Sequence, residues 1–385
     1  METRKLYYED CHLRRFTAQV LGCEQTIKGY EVILDATAFY PEGGGQACDL
    51  GTLGIVSVLD VQERGHQVVH LCDGPLTPGS TVEGIIDWAR RFDQMQQHTG
   101  EHIVSGIVHE LFGFDNVGFH VGEQVMEVDF DGIIPQDSLA EIENRANAIV
   151  WQNLALRCWY PSEEELPTVG YRTKRALPWP VRIVEIPGVD KCACCGVQVS
   201  HTGEVGLVKL ISCVKFHQGV RIEMVCGGRA MALLNEIFQQ NRQVSQAFSA
   251  KPNETGEAAR SMNKRLAEAE YRANSLQGQI FDMLAQGYQG AGDVIHFLEN
   301  GTPVQLRELA DRIASTCGGT AAVYSGQNDN WNICLISHTQ DLKSTAQALK
   351  EKLNARGGGK SGTFQGTLQG TQAQLEAVLK ENITA

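Results

Sequence analysis

The chain has 385 residues, a formal net charge of −13, 42% hydrophobic residues and 21% charged residues. This length allows two to four domains with at least one sizeable core, and the composition is that of a globular protein. The negative charge excludes nucleic-acid binding through bulk charge, although it leaves room for a local basic groove. No run of about 18 apolar residues predicts a membrane span. The first residues lack the apolar core of a signal peptide, so we expect a cytoplasmic protein without membrane contact.

The first part of the chain, to about residue 86, favours β-structure. Short apolar runs such as 30–34 and 67–71 are separated by Gly, Asp and Pro turns. This pattern is typical of a small barrel or sandwich. A glycine-rich loop, Phe39 to Gln46, lies in the middle of this region.

The middle of the chain mixes helices and strands. Large apolar residues and histidines recur at helical spacing from Asp87 to Phe112, and Gly113 is placed to end that helix. A second helix is predicted over 136–153, and strands over 181–186 and 205–214. The pattern predicts helices packed on a largely antiparallel sheet.

Residues 229–286 are rich in helix-forming residues, with one break at Pro252. After the break, apolar residues alternate at spacings of four and three, which is a heptad seam. The seam residues are Met262, Leu266, Ala269, Ala273, Leu276, Ile280 and Met283. The seam indicates a coiled coil or an antiparallel helical pair, and with it a possible homodimer. A long amphipathic helix packed on its own chain is the alternative.

The tail alternates strands and helices, which predicts a small α/β domain. Strands are expected over 320–324 and 331–337, and helices over 344–354 and 372–381. A glycine-rich loop, Gly357 to Gly362, lies between the two helices and lets backbone N–H groups approach an anion closely. Its spacing does not fit a Walker A loop.

His98 and His102 stand four residues apart on the first predicted helix, so both imidazoles project from one face and can bind one ion. Two polar residues on a solvated face are the alternative. The cysteine cluster at Cys192, Cys194 and Cys195 favours the metal site, because two His with one or more Cys suit Zn²⁺. We expect no disulfides in a cytoplasmic chain of this length.

The same stretch, His98 to His102, also matches the His-x-x-Glu-His motif of inverted zinc peptidases, in which the Glu is the general base. Glu101 would take that role. Such an enzyme needs a downstream carboxylate as third ligand, and the cysteine cluster would have no role in it. Glu101 is turned about 100° from His102 along the helix, so a solvent-facing Glu is the alternative reading of this residue.

Taken in chain order, these segments resemble the long form of the AlaX-type alanyl-tRNA editing proteins and the editing domain of alanyl-tRNA synthetase. Four blocks carry the resemblance: Phe39 to Gln46, His98 to His102, Asp190 to Gly206 and Gly219 to Glu223. They are similar to the family's glycine motif, its His-x-x-x-His motif, its Cys-Gly-Gly-Thr-His block and the strand that follows that block. The glycine-rich stretch near the C-terminus resembles the DHH-associated C-terminal domain.

The resemblance implies an α+β multidomain protein. Its expected parts are a glycine-motif β-barrel (1–86), a zinc-binding editing domain (87–228), a helical or coiled-coil connector (229–288) and a small α/β C-terminal domain (289–385).

The resemblance also implies a set of zinc ligands. His98, His102 and Cys194 fall on family ligands, and the fourth family ligand, a His, is replaced by Gln198. Glutamine is a poor zinc ligand compared with imidazole. We expect His98, His102 and Cys194 to bind the ion, with Gln198 as the fourth group beside it.

The implied activity is zinc-dependent hydrolysis of the aminoacyl ester on mischarged tRNA for alanine. Serine is the expected amino acid and glycine the lesser one, because a pocket built for alanine cannot strongly reject serine. Thr99 is the candidate contact for a substrate hydroxyl, and Glu101, which lies beside the ligands, is the candidate general base of the editing reaction. The expected substrate-binding residues are Gly43, Gly44, Gly45, Gln46 and Arg221. A tRNA- or zinc-binding relative with reduced activity, motivated by Gln198, and a metallopeptidase are the alternatives.

Overall fold

The structure is a computed structural model that describes residues 2–173, 177 and 179–383. Its elements confirm a mixed α and β protein with several separate sheets. The chain divides into two compact units, Met1–Gln243 and Val244–Ala385. This division falls inside the predicted connector, and the boundaries of the four predicted domains stay a prediction.

The N-terminal part of the first unit is a β-structure built around six strands. Its elements are β1 (Arg4–Lys5), α1 (Leu6–Glu9), β2 (Arg15–Thr26), β3 (Gly29–Leu34), β4 (Ala36–Thr37), β5 (Gly51–Leu53), β6 (Val56–Arg64), β7 (Gln67–Cys72) and β8 (Thr81–Ile86). The order β2-β3-β7-β6-β5-β8 closes into a barrel. Side chains alternate along β2, where Phe16, Ala18 and Val20 are buried, so each strand contributes every second residue to the barrel core.

One long helix, α2 (Trp88–Phe112), follows the barrel. The Asp87 side chain accepts a hydrogen bond from the Arg90 N–H at its start, and Gly113 ends it in the left-handed conformation. Both ends therefore lie where the sequence predicts them. The central turns of α2 are buried, which is why even its polar residues face protein rather than water.

Two sheets and a second helix surround α2. The elements are β9 (Asn116–Val121), β10 (Met126–Phe130), a 3-10 turn (Gln136–Ser138), α3 (Leu139–Gln152), β11 (Arg157–Trp159), a 3-10 turn (Leu166–Thr168), β12 (Ile183–Ile186), β13 (Asp190–Ala193), a 3-10 turn (Thr202–Val205), β14 (Val208–Phe216) and β15 (Gly219–Cys226). One sheet has the order β14-β15-β10-β9 and the other β11-β12-β13. All pairings within the two sheets are antiparallel, as predicted.

The predicted helical stretch is two helices, α4 (Gly227–Phe248) and α5 (Thr255–Gly287), separated around Pro252. The buried residues of α5 are Phe281 and Ala285, near its end. Five seam residues are instead exposed, namely Met262, Leu266, Leu276, Ile280 and Met283. The alternative in which the seam packs on its own chain is therefore wrong for these five side chains.

The rest of the second unit is an α/β sandwich. Its elements are β16 (Gly292–Phe297), α6 (Pro303–Cys317), β17 (Gly318–Gln327), β18 (Asn330–Ser337), α7 (Lys343–Leu353), β19 (Arg356–Gly358), β20 (Thr363–Gln369) and α8 (Gln372–Ile383). The sheet order is β16-β17-β18-β20-β19. Alternate residues of β17 and β18 pack either with α7 and α8 or with α6, so both faces of the sheet are covered.

The glycine-rich stretch near the C-terminus differs from the predicted loop. Gly357 and Gly358 belong to the edge strand β19 and pair with β20. Only the residues around Lys360 form the turn between these two strands. Within the described part of the chain, none of the helices is both long and apolar enough to cross a membrane.

Candidate metal centre

The two histidines of α2 face the protein interior. His98 and His102 are each 2% exposed. They stand one helical turn apart, with ring centroids 5.4 Å apart and planes at 28°. The alternative of two polar residues on a solvated face is therefore wrong, and a buried imidazole pair needs hydrogen-bond or metal partners.

Cys194 approaches this pair from the loop that follows β13. Its Sγ lies 3.3 Å from the Nε2 of His98. One ligand atom each from His98, His102 and Cys194 lies within 4.8 Å of the other two. The loop can come this close because Gly196 has no side chain, since a Cβ at that position would lie 2.0 Å from the His98 ring.

Gln46 fixes the protonation of His98. Its amide oxygen accepts a hydrogen bond from the backbone N–H of Val197 at 3.2 Å and lies 2.8 Å from the Nδ1 of His98. Because that oxygen only accepts, the Nδ1 of His98 carries the proton. The lone pair is then on Nε2, the nitrogen that faces Cys194.

Asp190 fixes His102 in the same way. Its Oδ2 lies 2.8 Å from the Nδ1 of His102, and its Oδ1 accepts from the Nε of Arg172 at 2.8 Å. A proton of His102 is thereby held on Nδ1, which leaves Nε2 as the nitrogen that a metal ion would take. A carboxylate or amide oxygen behind each imidazole is the arrangement that orients histidine ligands in metal sites.

The electrostatics of Cys194 and Asp190 agree with this geometry. Burial raises the pKa of the Cys194 thiol, but attraction and hydrogen bonds from His98 and His102 outweigh burial and hold that pKa well below its ordinary range. Burial also opposes the charge of Asp190, yet His102 and Arg172 lower the pKa of its carboxyl group. Both groups are therefore suited to exist as anions beside the imidazoles.

The donor set fits a zinc ion. Bond lengths of about 2.0 Å to nitrogen and 2.3 Å to sulfur in a tetrahedral site place the two donors roughly 3.5 Å apart. The 3.3 Å between His98 Nε2 and Cys194 Sγ is close to that separation. Among the common divalent cations, Zn²⁺ is also one that prefers imidazole nitrogen and thiolate sulfur as donors.

Gln198, the predicted fourth group on the ion, lies beside Cys194, and its place on the ion stays a prediction. Its Oε1 accepts a hydrogen bond from the Thr99 hydroxyl at 2.8 Å, and its Nε2 donates to the Cys194 sulfur at 3.7 Å. The Thr99 hydroxyl accepts from the Val199 N–H at 3.2 Å, so its own proton is free to go to Gln198. The amide nitrogen that Gln198 turns to the sulfur is a donor and not a metal ligand.

Glu101 is buried, at 5% exposure, so the solvent-facing alternative is wrong. Its Oε1 accepts hydrogen bonds from the hydroxyl of Ser105 and the amide of Asn116. Both partners lie further along the chain than the histidine pair, and Glu101 belongs to none of the ligand groups found in the described residues. The structure therefore does not bring Glu101 into the metal centre.

The predicted glycine-rich loop borders the site. Gly43 and Gln46 exchange two backbone hydrogen bonds of 3.0 Å, which makes the loop a tight turn that includes Gly45. Gly44 has a φ of +58°, and a Cβ there would lie 2.8 Å from the Sγ of Cys195. The loop thus packs on the segment that carries Cys194 and delivers Gln46 to His98.

Arg221 lies elsewhere. It is on β15, where its guanidinium pairs with Asp129 at 2.7 Å and Glu127 at 2.8 Å. Its neighbour Ile222 is buried in the core that includes residues of α2, so Arg221 faces the opposite side of the sheet. The structure does not bring Arg221 to the histidine pair.

The basic residues between 172 and 182 are partly engaged within the site. Arg172 pairs with Asp190. Arg182 lies over the ring of Tyr8, at 4.5 Å from its centroid, and donates to two backbone carbonyls of the loop that follows β13. Lys174 and Arg175 lie outside the described residues.

Sequence reasoning missed the role of Asp190. The available signal was that Asp190 opens the block that also carries Cys194. Its contact with His102 depends on how β13 packs against α2, which no local pattern in the sequence shows.

Two family profiles match the chain. The profile described as "tRNA synthetases class II (A)" matches residues 3–90. The profile described as "Threonyl and Alanyl tRNA synthetase second additional domain" matches residues 181–223, which include Cys194 and Gln198.

Curated relatives extend the similarity over most of the chain. The Xenopus laevis protein named alanyl-tRNA editing protein Aarsd1-A is 26% identical over 97% of this chain and 94% of its own length. The mouse protein Aarsd1 is 34% identical over 54% of this chain and 55% of its own length. The alanine–tRNA ligase of Ignicoccus hospitalis is 35% identical over 70% of this chain, a match that spans 32% of the ligase.

Among solved structures, the C-Ala domain from Aquifex aeolicus alanyl-tRNA synthetase matches 24% of this chain and 91% of its own length. The identity is 24% and the TM-score is 0.22, too low to indicate a shared fold.

Proposed function

Because this chain is a homologue of the AlaX-type alanyl-tRNA editing proteins over most of its length, we propose that it edits mischarged tRNA for alanine. The reaction is hydrolysis of the ester that joins serine, or to a lesser extent glycine, to the 3′ end of the tRNA. Water adds across the ester bond, and the products are the free amino acid and uncharged tRNA. The protein acts in trans, as a catalyst separate from the ligase.

The single observation that carries this proposal is the cluster of His98, His102 and Cys194. These three side chains would hold a zinc ion through Nε2, Nε2 and Sγ, because Gln46 and Asp190 occupy the other nitrogen of each imidazole. When bound, such an ion supplies either a water of lowered pKa or a fixed point that orients the substrate.

Gln46 is suited to bind the substrate as well as to orient His98. Its side chain is 1% exposed, and its amide nitrogen has no hydrogen-bond partner among the described residues. A buried donor without a partner is costly unless a ligand satisfies it. We assign this nitrogen to an oxygen of the aminoacyl group, with the backbone of Gly43, Gly44 and Gly45 beside it.

Thr99 supports recognition of a hydroxyl. It is fully buried and donates to Gln198. The serine hydroxyl would gain a hydrogen bond with the Thr99 hydroxyl or the Gln198 amide, and alanine, which has no hydroxyl, would gain none. A difference of this kind is the basis on which a site rejects the analogue that lacks a hydroxyl.

A homodimer is the second part of the proposal. The exposed seam residues of α5 lie at heptad spacing, the pattern by which two helices bury apolar residues against one another. A second copy of the chain would cover these side chains through the same surface on both partners.

Two alternatives make different predictions. The first is a relative with reduced activity, which would bind tRNA and leave the ester intact. The amide nitrogen that Gln198 turns to Cys194, in place of a histidine ligand, favours this alternative. A metallopeptidase would depend on Glu101 and would tolerate loss of Cys194.

The test compares deacylation of serine-charged and alanine-charged tRNA for alanine by the full chain and by the variants Cys194→Ala and Glu101→Gln. The proposal expects serine to be released faster than alanine and Cys194→Ala to be inactive. Binding of charged tRNA without hydrolysis would identify the relative with reduced activity. Peptide hydrolysis that survives in Cys194→Ala but not in Glu101→Gln would identify the peptidase.

A further inference from the structure

The three-stranded sheet β11-β12-β13 ends beside the metal centre. In its last row, Ile183 of the central strand pairs with Trp159 on one side and with Ala193 on the other. The register continues by one residue, because the N–H of Cys194 donates to the carbonyl of Arg182 at 3.1 Å. Arg182 therefore lies opposite Cys194, the proposed metal ligand, at the end of the sheet.

The same register brings Tyr160 to the other side of Arg182. Directly opposed residues of an antiparallel pair project from one face of the sheet, so Tyr160, Arg182 and Cys194 form a row. Tyr160 is close enough to Arg182 for the charge of the guanidinium to act on its hydroxyl group. Adjacent strands are about 4.8 Å apart, so the row runs roughly 10 Å from Cys194 to Tyr160.

Tyr8 packs against this row. Its hydroxyl donates to the carbonyl of Cys195 at 2.6 Å, and the guanidinium of Arg182 lies 4.5 Å from its ring centroid. Its ring meets the ring of Tyr160 edge to face, with centroids 6.3 Å apart and planes at 70°. Tyr160 itself is 51% exposed. One aromatic ring is therefore fixed by its contacts, and the next one presents a face to solvent.

The surface around the row is recessed. Cys158 and Tyr160 are both exposed, yet desolvation by the surrounding protein raises the pKa of the Cys158 thiol and of the Tyr160 hydroxyl. A group that water reaches from one side, while protein surrounds its other sides, is desolvated in this way. We call this recess, lined by Tyr8, Cys158, Tyr160 and Arg182, the tyrosine cleft.

Arg182 gives the tyrosine cleft a positive charge. Its Nη1 donates to the carbonyls of Cys194 and Gly196 at 3.0 and 2.9 Å. It forms no ion pair with a carboxylate among the residues that the structure describes. Its charge is therefore not neutralised by a carboxylate within this part of the chain, and a guanidinium is well suited to bind a phosphate group.

We propose that the tyrosine cleft binds the last nucleoside of the tRNA, with the base stacked on Tyr160 and the 5′ phosphate facing Arg182. The inference rests on the proposed function, because the ester to be cleaved is on the ribose of that nucleoside. The base must then bind within the length of one nucleoside from the ion, and the row from Cys194 to Tyr160 has that reach. Aromatic rings and arginine are the side chains that bind unpaired bases of RNA.

This contact would position the ester without selecting the amino acid. Stacking on an aromatic ring holds the nucleoside, whereas the amino acid lies at the other end of the ester, near Thr99 and Gln46. Binding energy from a part of the substrate that does not react holds the reacting ester in place. Loss of the stack should therefore slow the release of serine and of alanine by the same factor.

The test measures the affinity of the full-length chain, prepared with zinc, for uncharged tRNA for alanine that is either intact or lacks its last nucleotide. Tyr160→Ala removes the ring, and Tyr160→Phe keeps it. Phe216→Ala is the matched control, because Arg221 lies over the Phe216 ring at 3.9 Å in the same kind of pair. Arg221 is on the face of its sheet that points away from α2, so this pair lies outside the tyrosine cleft.

We expect removal of the last nucleotide to weaken binding to the wild type by about 5- to 150-fold, the loss of one base–aromatic stack. Tyr160→Ala should bind intact tRNA as weakly as the wild type binds the shortened tRNA. Shortening should weaken its binding little further, because the two changes remove the same contact. Tyr160→Phe and Phe216→Ala should match the wild type.

An equal loss on shortening in Tyr160→Ala and in the wild type would overturn the inference and leave the proposed function intact. A wild type that binds both tRNAs equally well would overturn it too. A wild type that shows the expected coupling but leaves the serine ester intact would overturn the editing activity and not the cleft. Because affinity is measured with uncharged tRNA, the two failures are distinguishable.

Discussion

Replacement of Gln46 separates its two proposed roles, the orientation of His98 and the contact with substrate. Gln46→Leu removes the acceptor for two buried donors, the Nδ1–H of His98 and the N–H of Val197. Each stranded donor costs about 1–3 kcal/mol of folding free energy. The loss of an outer partner of a metal ligand lowers metal affinity by about 10- to 100-fold, or roughly 1.4–2.7 kcal/mol.

Gln46→Glu keeps an oxygen in place for both donors, so we expect its metal affinity to stay within about 10-fold of the wild type. It replaces the unpartnered amide nitrogen by a second oxygen, and this change removes the donor proposed for the substrate. Gln46→Glu should therefore bind zinc but deacylate slowly, with a raised KM.

The assay is zinc affinity by competition with a chromophoric chelator, alongside deacylation kinetics of the same preparations. Gln62→Leu is the control, because Gln62 is a barrel residue whose amide donates to Glu42 and Asp60 outside the metal centre. Equal zinc affinity in Gln46→Leu and the wild type would refute the assignment of Gln46 as the group that orients His98. Wild-type kinetics in Gln46→Glu would refute the substrate contact.

Three further predictions concern stability and assembly. Burial lowers the pKa of His70 in the barrel core from 6.5 to about 4, so the unfolded state binds more protons than the folded state between these pH values. The free energy of unfolding, measured in urea, should therefore fall by up to about 3 kcal/mol as the pH is lowered through this window. Arg91 of α2 forms a buried ion pair with Asp49, which lies just before the barrel strand β5. Arg91→Met should lower the free energy of unfolding in urea by about 3–5 kcal/mol, because it leaves the Asp49 carboxylate buried without its partner. Leu276→Glu/Ile280→Glu in the exposed seam should convert a dimer to a monomer in light scattering without loss of helix content.

Each of these predictions has a contrary outcome. The pH-dependent loss should shrink in His70→Gln, and an unchanged loss would show that other groups cause it. Arg91→Met/Asp49→Leu should be more stable than Arg91→Met, because no charge is left unpaired, and the reverse order would contradict the account of the pair. A wild-type chain that is already monomeric at micromolar concentration would contradict the dimer.

Local signals made the helices and the histidine pair predictable. The cap at Asp87, the helical spacing of apolar residues and the stop at Gly113 defined α2 closely, because each acts within a few residues. The same periodicity placed both imidazoles on one face. The break at Pro252 likewise separated α4 from α5.

The parts that sequence reasoning did not predict depend on contacts between distant segments. Gln46 is 52 residues from His98, and nothing local marks it as the partner of that imidazole. Whether Gln198 offers its oxygen or its nitrogen depends on the hydroxyl of Thr99, 99 residues away. The burial of Glu101 depends on Asn116 and Ser105, which lie beyond the motif that suggested a catalytic role. Edge strands such as β19 were missed because glycine favours no regular structure.

The most direct test of the central claim is deacylation of serine-charged and alanine-charged tRNA for alanine by one preparation in three states: as purified, after metal removal, and after zinc is restored. We predict faster release of serine than of alanine, loss of the reaction on metal removal and its recovery with zinc. Equal activity in all three states would contradict a zinc-dependent site at His98, His102 and Cys194. Intact esters in the zinc-restored state, with zinc bound, would contradict the editing activity itself.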